Sequence, residues 1–168
     1  MEVIDIIGKK WNIKCMGCAI TNYEMQPPGG ILFESRNFIV SQDPKNPIPG
    51  FLTIQTKKHI QSLVNLTENE AIEFSKILFQ SRKALNSIKD LKYCKIIQEE
   101  NTQHFHTWIL PFYDWMDEIV NGSINSIIPL LIYAKENWNT TEKIEKVMDT
   151  CEKVKTFLYN SQLNKKHG

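Results

Sequence analysis

The stretch QHFHTWILP, Gln103 to Pro111, is the most informative part of this chain. Its β-branched and aromatic residues favour a strand, in which successive side chains alternate between two faces. His104, His106 and Trp108 are then predicted to share one face, with neighbouring side chains on that face roughly 6.6 Å apart. At that separation one imidazole can hold a metal or support the site while the next meets a substrate. A solvated or hydrogen-bonded pair at a sheet edge is the alternative interpretation.

The composition of the 168-residue chain is typical of one ordinary globular domain, with 42% hydrophobic and 23% charged residues. The net charge of +1, from 20 basic and 19 acidic residues, provides no positive field for non-specific nucleic-acid binding. The longest apolar run, Ile127–Ala134, is far shorter than the ~20 residues that span a bilayer, and the N-terminus lacks a signal-peptide pattern. These features predict a cytoplasmic protein that binds neither nucleic acid nor membrane.

Five strands and one long helix are predicted from the alternation of apolar residues and from the turn residues between them. The predicted strands are Ile31–Glu34, Phe38–Ser41, Phe51–Thr56, Tyr93–Glu99 and His104–Leu110. Thr67 and Glu70 form a capping-box pattern, which starts a helix that extends to about Lys89. Because hairpin-length links cannot make parallel crossovers, the pattern indicates an α+β fold with an antiparallel sheet.

The C-terminal third is predicted to be a helical extension. One helical pattern starts at about Ser123, with Pro129 near a helix start or at a kink, and another covers 141–160. The second pattern carries an apolar stripe at helical spacing, which predicts core or dimer packing: Ile144, Val147, Cys151, Val154 and Leu158. We therefore expect a domain at 1–112 and an extension at 113–168 that packs on the same domain.

Cys15 and Cys18 form a Cys-x-x-Cys pair in a predicted tight turn. This spacing can bring two thiolates to one tetrahedral ion. A redox dithiol has the same spacing, although no βαβ pattern supports it here, and two small core residues are a further alternative. A zinc site needs two more ligands, and the candidates are His59 and one of the two strand histidines. Cys94 and Cys151 lie at periodic apolar positions and are interpreted as packing residues.

These residues together resemble the histidine triad (HIT) superfamily. The segment FLTIQTKKHI, Phe51–Ile60, is followed after a helix by His104-Phe105-His106, and both are similar to motifs of that family. The upstream segment 33–44 resembles the family's nucleotide-binding strands. The resemblance covers residues 13–111, about three fifths of the chain. It implies a HIT-like α+β fold, with a five-stranded antiparallel sheet and a long helix, and a homodimer.

The resemblance implies a covalent reaction at His106. In this family the middle histidine of the motif attacks the α-phosphate of a nucleotide, and water or another acceptor resolves the nucleotidyl-histidine. Imidazole suits this role because it is neutral and nucleophilic near pH 7 and leaves readily afterwards. Asp43 lies where the family contacts the ribose hydroxyls. Asn101 and Gln103 are candidate phosphate donors, or polar loop residues without such a role.

The resemblance also assigns a metal site. Many members, including the galactose-1-phosphate uridylyltransferase branch, bind structural zinc through four ligands. These are a Cys-x-x-Cys pair, a histidine after the third strand and the first histidine of the motif. Carried over to this sequence, the implied zinc ligands are Cys15, Cys18, His59 and His104. His106 then remains uncoordinated and free to react.

Two positions depart from the family's pattern. Trp108 replaces the third motif histidine, and Phe51 replaces a histidine that is often found at the start of the third strand. Indole donates one hydrogen bond but cannot relay a proton. We predict a hydrolase of nucleoside phosphates or dinucleoside polyphosphates, because the short chain offers no obvious domain for a second substrate. In it, His106 attacks, and Trp108 with Asn101 or Gln103 stabilises phosphate charge. Alternatives are a nucleotidyltransferase, a non-catalytic nucleotide-binding module with a degenerate triad, and a dithiol redox protein.

Overall fold

The computed structural model describes residues 1–120 and 127–163. A two-stranded antiparallel ladder and a short helix come first: β1 (Glu2–Ile4), β2 (Lys10–Asn12) and α1 (Met16–Thr21). Five further strands follow: β3 (Ile31–Glu34), β4 (Phe38–Gln42), β5 (Leu52–Thr56), β6 (Tyr93–Gln98) and β7 (His106–Phe112). They form one antiparallel sheet in the order β3-β4-β5-β7-β6. The predicted α+β class and five-stranded antiparallel sheet are confirmed.

The start of the last strand was predicted incorrectly, whereas the other four strands agree with prediction to within one residue at each end. β7 begins at His106 and not at His104. The backbone N–H of Phe105 donates to the Ile60 carbonyl at 2.6 Å, and the Phe105 carbonyl accepts from the Thr56 N–H at 3.4 Å. These bonds tie Phe105 to the segment that leaves β5, so the regular ladder starts one residue later. The alternation of a strand therefore does not set the direction of the His104 side chain.

The long helix α2 (Glu68–Ala84) begins as predicted. The Thr67 hydroxyl accepts from the Glu70 N–H at 3.3 Å, and the Glu70 carboxylate accepts from the Thr67 N–H at 2.8 Å. This reciprocal pair satisfies two N–H groups that the helix itself leaves without a partner. The helix ends earlier than the predicted Lys89, because residues Leu85–Ser87 tighten into a 3₁₀ turn.

The described residues of the C-terminal part include three helices: α3 (Asp114–Val120), α4 (Ile127–Asn137) and α5 (Thr141–Leu163). The predicted helix start at Ser123 lies outside the described residues. Pro129 is the third residue of α4 as described, where its missing N–H is tolerated. Within the described part of the chain, no helix is long and apolar enough to cross a bilayer.

The two faces of the central sheet have different surroundings. One face carries Val40, Ile54 and Ile109, which are buried in one apolar cluster with residues of α2 and α5. The stripe of α5 contributes Val147, Cys151, Val154 and Leu158 to that cluster, so its predicted packing role is confirmed as core packing. Side chains alternate along a strand, so the opposite face carries a second set of residues. That set includes Ser41, Thr53, Gln55, His106 and Trp108, all of which line a cavity.

Candidate functional site

Two cysteines and two histidines meet beside the sheet. Cys15 and Cys18 come from the start of α1, His59 follows β5, and His104 precedes β7. The predicted turn at Cys15–Cys18 is in fact the first turn of this helix, since the Ala19 N–H donates to the Cys15 carbonyl at 2.9 Å. One ligand atom from each of the four residues lies within 4.8 Å of every other. The fold therefore brings together the four residues that the resemblance implied as metal ligands.

The distances within this cluster suit one tetrahedral ion. The Cys15 sulfur lies 3.5 Å from His104 Nδ1 and 3.8 Å from His59 Nδ1. The Cys18 sulfur lies 3.5 Å and 3.0 Å from the same two atoms. An ion with a metal–sulfur distance of ~2.3 Å and a metal–nitrogen distance of ~2.0 Å separates sulfur from nitrogen by about 3.5 Å in tetrahedral geometry. The observed distances lie on both sides of that value.

The chemistry of the thiols also fits a bound cation. Both cysteines are free rather than joined in a disulfide. Burial, together with the neighbouring Cys15, raises the pKa of the Cys18 thiol to about 11 when no cation is near. Two adjacent thiolates would repel each other, and a cation between them favours deprotonation of both. The cluster thus has the donor set, spacing and need for positive charge of a Cys2His2 metal site.

A backbone carbonyl fixes the tautomer of His104. The ring donates its Nε2–H to the Thr56 carbonyl at 2.7 Å, so the lone pair is on Nδ1, which faces the two sulfurs. Burial is also the main cause that lowers the pKa of His104, which keeps the ring neutral. A neutral imidazole with its lone pair turned towards the cluster is the form that binds a metal.

Gly17 lets the ring of His104 approach α1. A Cβ atom at this position would lie 2.5 Å from Cγ of His104 and 2.7 Å from Nδ1. Real Cβ atoms essentially never come so close to another atom. The Gly17 carbonyl also accepts a hydrogen bond from the Gln55 side chain at 3.4 Å. Sequence reasoning assigned Gly17 no role, although a glycine between the two cysteines was the available signal.

A cavity of about 510 Å³ adjoins the metal cluster on the open face of the sheet. Its lining includes four of the residues predicted for catalysis or substrate binding: Asp43, Gln103, His106 and Trp108. The lining also includes His104 and both lysines that border the opening, Lys14 and Lys45. Asn101, the remaining predicted binding residue, is exposed and does not belong to this lining.

His106 is half-buried at the start of β7 and lines this cavity. Its Nδ1–H donates to the carbonyl of His104 at 3.0 Å, so the lone pair is on Nε2. Among the described residues, the cluster of potential metal ligands does not include His106. The ring therefore borders the cavity outside the ligand cluster, and its Nε2 carries a free lone pair in this tautomer.

The two residues that depart from the family's pattern contact each other. The rings of Phe51 and Trp108 meet edge to face, with centroids 5.4 Å apart and planes at 77°. Trp108 also lies against His106, at a centroid distance of 5.6 Å and a tilt of 55°. The two replacements thus act as one packed aromatic pair beside the imidazole.

Asp43 is 2% exposed and borders the cavity just beyond the end of β4. Its Oδ1 atom accepts hydrogen bonds from the Lys45 N–H at 2.9 Å, the Asn46 N–H at 3.0 Å and the Asn46 side chain at 2.7 Å. Burial raises the pKa of Asp43, and these bonds partly oppose that rise. All three bonds fall on one carboxylate oxygen, which leaves the acceptor capacity of Oδ2 for another partner.

A second cavity, of about 530 Å³, shares no lining residue with the first. It is lined by residues around the start of α3 and the first turns of α5, among them Tyr113, Trp115, Trp138 and Lys146. None of the residues predicted for catalysis, binding or metal ligation belongs to its lining. We therefore take the cavity beside His106 as the candidate functional site.

No protein-family model and no curated protein matches this sequence. Solved structures do match the fold. A HIT-like protein involved in cell-cycle regulation from Bartonella henselae aligns with a TM-score of 0.60 and 14% identity, over 88% of this chain and 98% of that one. A zinc-bound histidine triad family protein from Mycobacterium smegmatis aligns with a TM-score of 0.57 and 14% identity, over 85% of this chain and 96% of that one. A hypothetical histidine triad nucleotide-binding protein from Sulfolobus tokodaii aligns with a TM-score of 0.58 and 17% identity, over 87% of this chain and 93% of that one.

At these identities the similarity establishes the fold. The alignments cover 88% and 85% of this chain, so they include the sheet and at least part of the helical region that follows β7. The cluster of Cys15, Cys18, His59 and His104 contains the four ligands that the sequence resemblance implied. This chain has the fold of the histidine triad proteins, and Cys15, Cys18, His59 and His104 form a cluster with the donor set of a metal site.

Proposed function

We propose that the protein is a nucleotide hydrolase that acts on nucleoside phosphates or dinucleoside polyphosphates through a covalent nucleotidyl-histidine. The observation that carries this proposal is the state of His106. Its ring borders the cavity, the carbonyl of His104 accepts the Nδ1–H, and Nε2 retains its lone pair. A neutral imidazole in this tautomer attacks an electrophile without first losing a proton.

The proposed reaction has two displacements at one phosphorus atom. In the first, His106 Nε2 bonds to the α-phosphorus while the bond from phosphorus to the bridging oxygen breaks, and that oxygen keeps the electron pair. The His104 carbonyl stabilises the positive charge that develops on the ring, through the Nδ1–H bond of 3.0 Å. In the second, water attacks the same phosphorus and loses a proton to solvent. The phosphorus–nitrogen bond breaks, its electron pair returns to Nε2 of His106, and a nucleoside monophosphate leaves.

Trp108 restricts the leaving groups that suit this reaction. Its indole N–H can donate a hydrogen bond to a phosphate oxygen, but it cannot give up a proton to the leaving group. Leaving groups that depart as stable anions need no proton in the transition state. We therefore favour phosphoanhydride substrates, whose leaving group is a phosphate or a nucleotide, over esters of simple alcohols.

Charge and hydrogen bonding around the cavity support a nucleotide ligand. Lys14 and Lys45 line it and provide positive charge for phosphate groups. Gln103, also in the lining, offers a neutral amide donor, whereas Asn101 lies outside it. We assign the ribose hydroxyls to Asp43, whose Oδ2 atom can accept from both.

We propose zinc as the ion held by Cys15, Cys18, His59 and His104. Two thiolates and two imidazoles form a donor set that Zn²⁺ favours, and the zinc-bound Mycobacterium smegmatis structure has the same fold. Four protein ligands close the coordination sphere, so the ion would be structural and take no part in the chemistry. Its place is nevertheless close to the reaction, because the residue that binds it, His104, also holds the nucleophile through its carbonyl.

We also propose that the protein is a cytoplasmic homodimer. A reducing compartment keeps the free thiols of Cys15 and Cys18 available for a metal. β6 lies at one edge of the sheet, and on its outer side it pairs with no strand among the described residues. An edge strand of this kind can pair with a second copy of the chain.

A second candidate function is a non-catalytic nucleotide-binding module, which the Phe51–Trp108 contact favours. Two aromatic rings replace groups that handle protons in the family, and they are packed together as a stable unit. Such a site retains the ribose and phosphate contacts while losing the means to turn over a substrate.

Incubation with diadenosine tetraphosphate or ADP, followed by separation of the products, distinguishes these functions. We expect wild type to release AMP and His106→Ala to release none, with the zinc content and melting temperature of the variant unchanged, because His106 is not a metal ligand. Turnover at the wild-type rate in His106→Ala would eliminate the nucleophile assignment. Binding of nucleotide by wild type without any product would support the non-catalytic module instead.

A further inference from the structure

The loop between β6 and β7 forms one wall of the cavity beside His106. Glu99, Thr102 and Gln103 of this loop belong to the cavity lining. None of the residues 99–103 is buried, so apolar packing does not hold the loop in place. Its position therefore depends on hydrogen bonds to the rest of the protein.

Glu100 accepts those hydrogen bonds through both its side chain and its backbone. Its Oε1 atom accepts from the Ser62 hydroxyl at 2.6 Å and from the Leu63 N–H at 3.0 Å. Its carbonyl accepts from the Gln61 side chain at 2.9 Å. In the described part of the chain, the other hydrogen bonds of this loop stay within residues 98–104. Glu100 is therefore the residue that joins the loop to a distant segment.

The segment to which Glu100 is bonded is itself held in place. Ile60 and Leu66, on either side of it, pack against the apolar cluster that α2 and α5 share. The Ser62 hydroxyl also accepts from the Val64 N–H at 3.2 Å, which caps the 3₁₀ turn Leu63–Asn65. The bonds of Glu100 thus connect an exposed loop to a segment that is anchored on the core.

The same bonds hold a carboxylate outside the proposed phosphate site. Glu100 does not belong to the cavity lining, although its neighbour Glu99 does. The hydrogen bond from Ser62 is the main cause that lowers the pKa of Glu100, so this side chain is ionised near neutral pH. A second free carboxylate at the cavity would repel phosphate groups.

We propose that Glu100 is a positioning residue, whose bonds to Ser62 and Leu63 hold the wall of the cavity so that Thr102 and Gln103 meet the phosphate groups of a nucleotide. This inference rests on the proposed nucleotide function and deepens it. Glu100 itself does not touch the substrate. A loop that is already in place loses less conformational freedom when a phosphate binds, so the nucleotide binds more tightly.

The first test is equilibrium binding of AMP to two variants of Glu100. Glu100→Ala removes both side-chain bonds, and we expect it to bind AMP about 2- to 12-fold more weakly, the effect of losing one ordinary hydrogen bond. Glu100→Gln keeps an oxygen that can accept both bonds but carries no charge. It should bind AMP at least as tightly as wild type does.

These two variants separate the hydrogen bonds from the charge. Each removes one negative charge, so an effect of charge alone would make both bind the anionic AMP more tightly. Glu142→Ala is the matched control. Glu142 is an exposed glutamate of α5 that accepts a hydrogen bond from Lys146 at 3.0 Å. This variant should bind AMP as wild type does, and all variants should keep the metal content of wild type.

The second test is limited proteolysis without ligand, with the cleavage sites mapped by mass spectrometry. Ser62→Ala removes one donor to Glu100 and leaves the sequence of the loop unchanged. We expect a non-specific protease to cleave within residues 99–103 faster in this variant than in wild type or Glu142→Ala, because exposed segments with fewer hydrogen bonds open more readily.

AMP affinity equal to wild type in Glu100→Ala would overturn the inference. Binding as weak in Glu100→Gln as in Glu100→Ala, or unchanged cleavage of the loop in Ser62→Ala, would overturn it as well. Failure of wild type to bind AMP would instead remove the proposed function. The proteolysis does not depend on that result, because it measures the attachment of the loop in the absence of nucleotide.

Discussion

Gly17→Ala is the substitution that most sharply separates helix stability from metal binding. Gly17 lies in the first turn of α1, where its missing side chain makes room for the ring of His104. On helix propensity alone, alanine should improve α1 by at most about 1 kcal/mol. On the geometry of the cluster, the same methyl group should displace a metal ligand.

The size of the displacement follows from the contact distances. The new Cβ would lie 2.5 Å from the His104 ring, and ordinary contact begins at 3.4 Å, so the ring must move by about 0.9 Å. Metal ligands keep their distances to within about 0.2 Å. Even a change behind a ligand lowers metal affinity about 10- to 100-fold, and each tenfold is about 1.4 kcal/mol. The loss of about 1.4–2.8 kcal/mol exceeds the gain in helix propensity.

The assay is competition for zinc against a chromogenic chelator, combined with melting curves of the metal-bound and metal-free protein. We expect Gly17→Ala to bind zinc at least tenfold more weakly, with a smaller difference between the two melting temperatures. Thr21→Ala is the control. It removes a hydrogen bond of 3.1 Å from the Thr21 hydroxyl to the Cys18 carbonyl and should lower stability by about 1 kcal/mol. Its zinc affinity should remain that of wild type.

Zinc affinity equal to wild type in Gly17→Ala would refute this reasoning. It would mean that the ring of His104 is not needed where the structure places it, or that α1 moves freely with respect to β7. Equal losses in Gly17→Ala and Thr21→Ala would attribute the effect to general weakening of the helix.

Three further predictions concern the acid, the indole and the last helix. Asp43→Asn should raise the melting temperature at pH 7 and weaken nucleotide binding. Burial raises the folded-state pKa of this carboxyl. The free energy of unfolding therefore falls as pH rises through the interval from the unfolded to the folded pKa. A series of thermal melts from pH 4 to 8 should show that fall in wild type and not in the variant. Trp108→Phe should keep an aromatic contact with Phe51 and lower kcat for a dinucleoside polyphosphate by about tenfold, because the smaller phenyl ring lacks the indole N–H. An unchanged kcat in steady-state assays would exclude a role for that donor. Leu158→Ala should lower the free energy of unfolding, measured in urea, by about 2–5 kcal/mol, because this side chain of α5 is 2% exposed in the main core. A loss below about 1 kcal/mol would show that the extension is not part of that core.

The sequence predicted the sheet well because its strands are strongly marked. Ile31–Glu34, for example, was predicted at both ends, since a short apolar run lies there between a Gly-Gly breaker and a polar turn. The ladder of β1 and β2 was not predicted, because strands of three residues are too short to show alternation.

α1 was missed for a comparable reason. It has six residues, and its N-cap, Cys15, makes no side-chain capping bond that a sequence pattern would announce. The early end of α2 was missed because a local 3₁₀ turn at Leu85–Ser87 ends the helix, and the late start of β7 was missed because Phe105 bonds to the distant segment after β5.

The site was predictable only as far as motifs allow. Cys15 and His104 are 89 residues apart, and their own spacing did not pair them; the family resemblance did. The close approach of Gly17 to His104 and the contact between Phe51 and Trp108 depend on side chains from distant segments. These features become visible only when the strands and α1 are packed together.

The most direct test of the central claim is detection of the covalent intermediate. A nucleotide substrate is mixed with the protein for milliseconds, quenched without acid, and the protein is measured by intact mass spectrometry and peptide mapping. We expect one nucleotidyl group per chain on the peptide that contains His106, and no adduct in His106→Ala. Continued hydrolysis by wild type without an adduct at any time point, or an adduct on another residue, would contradict the account.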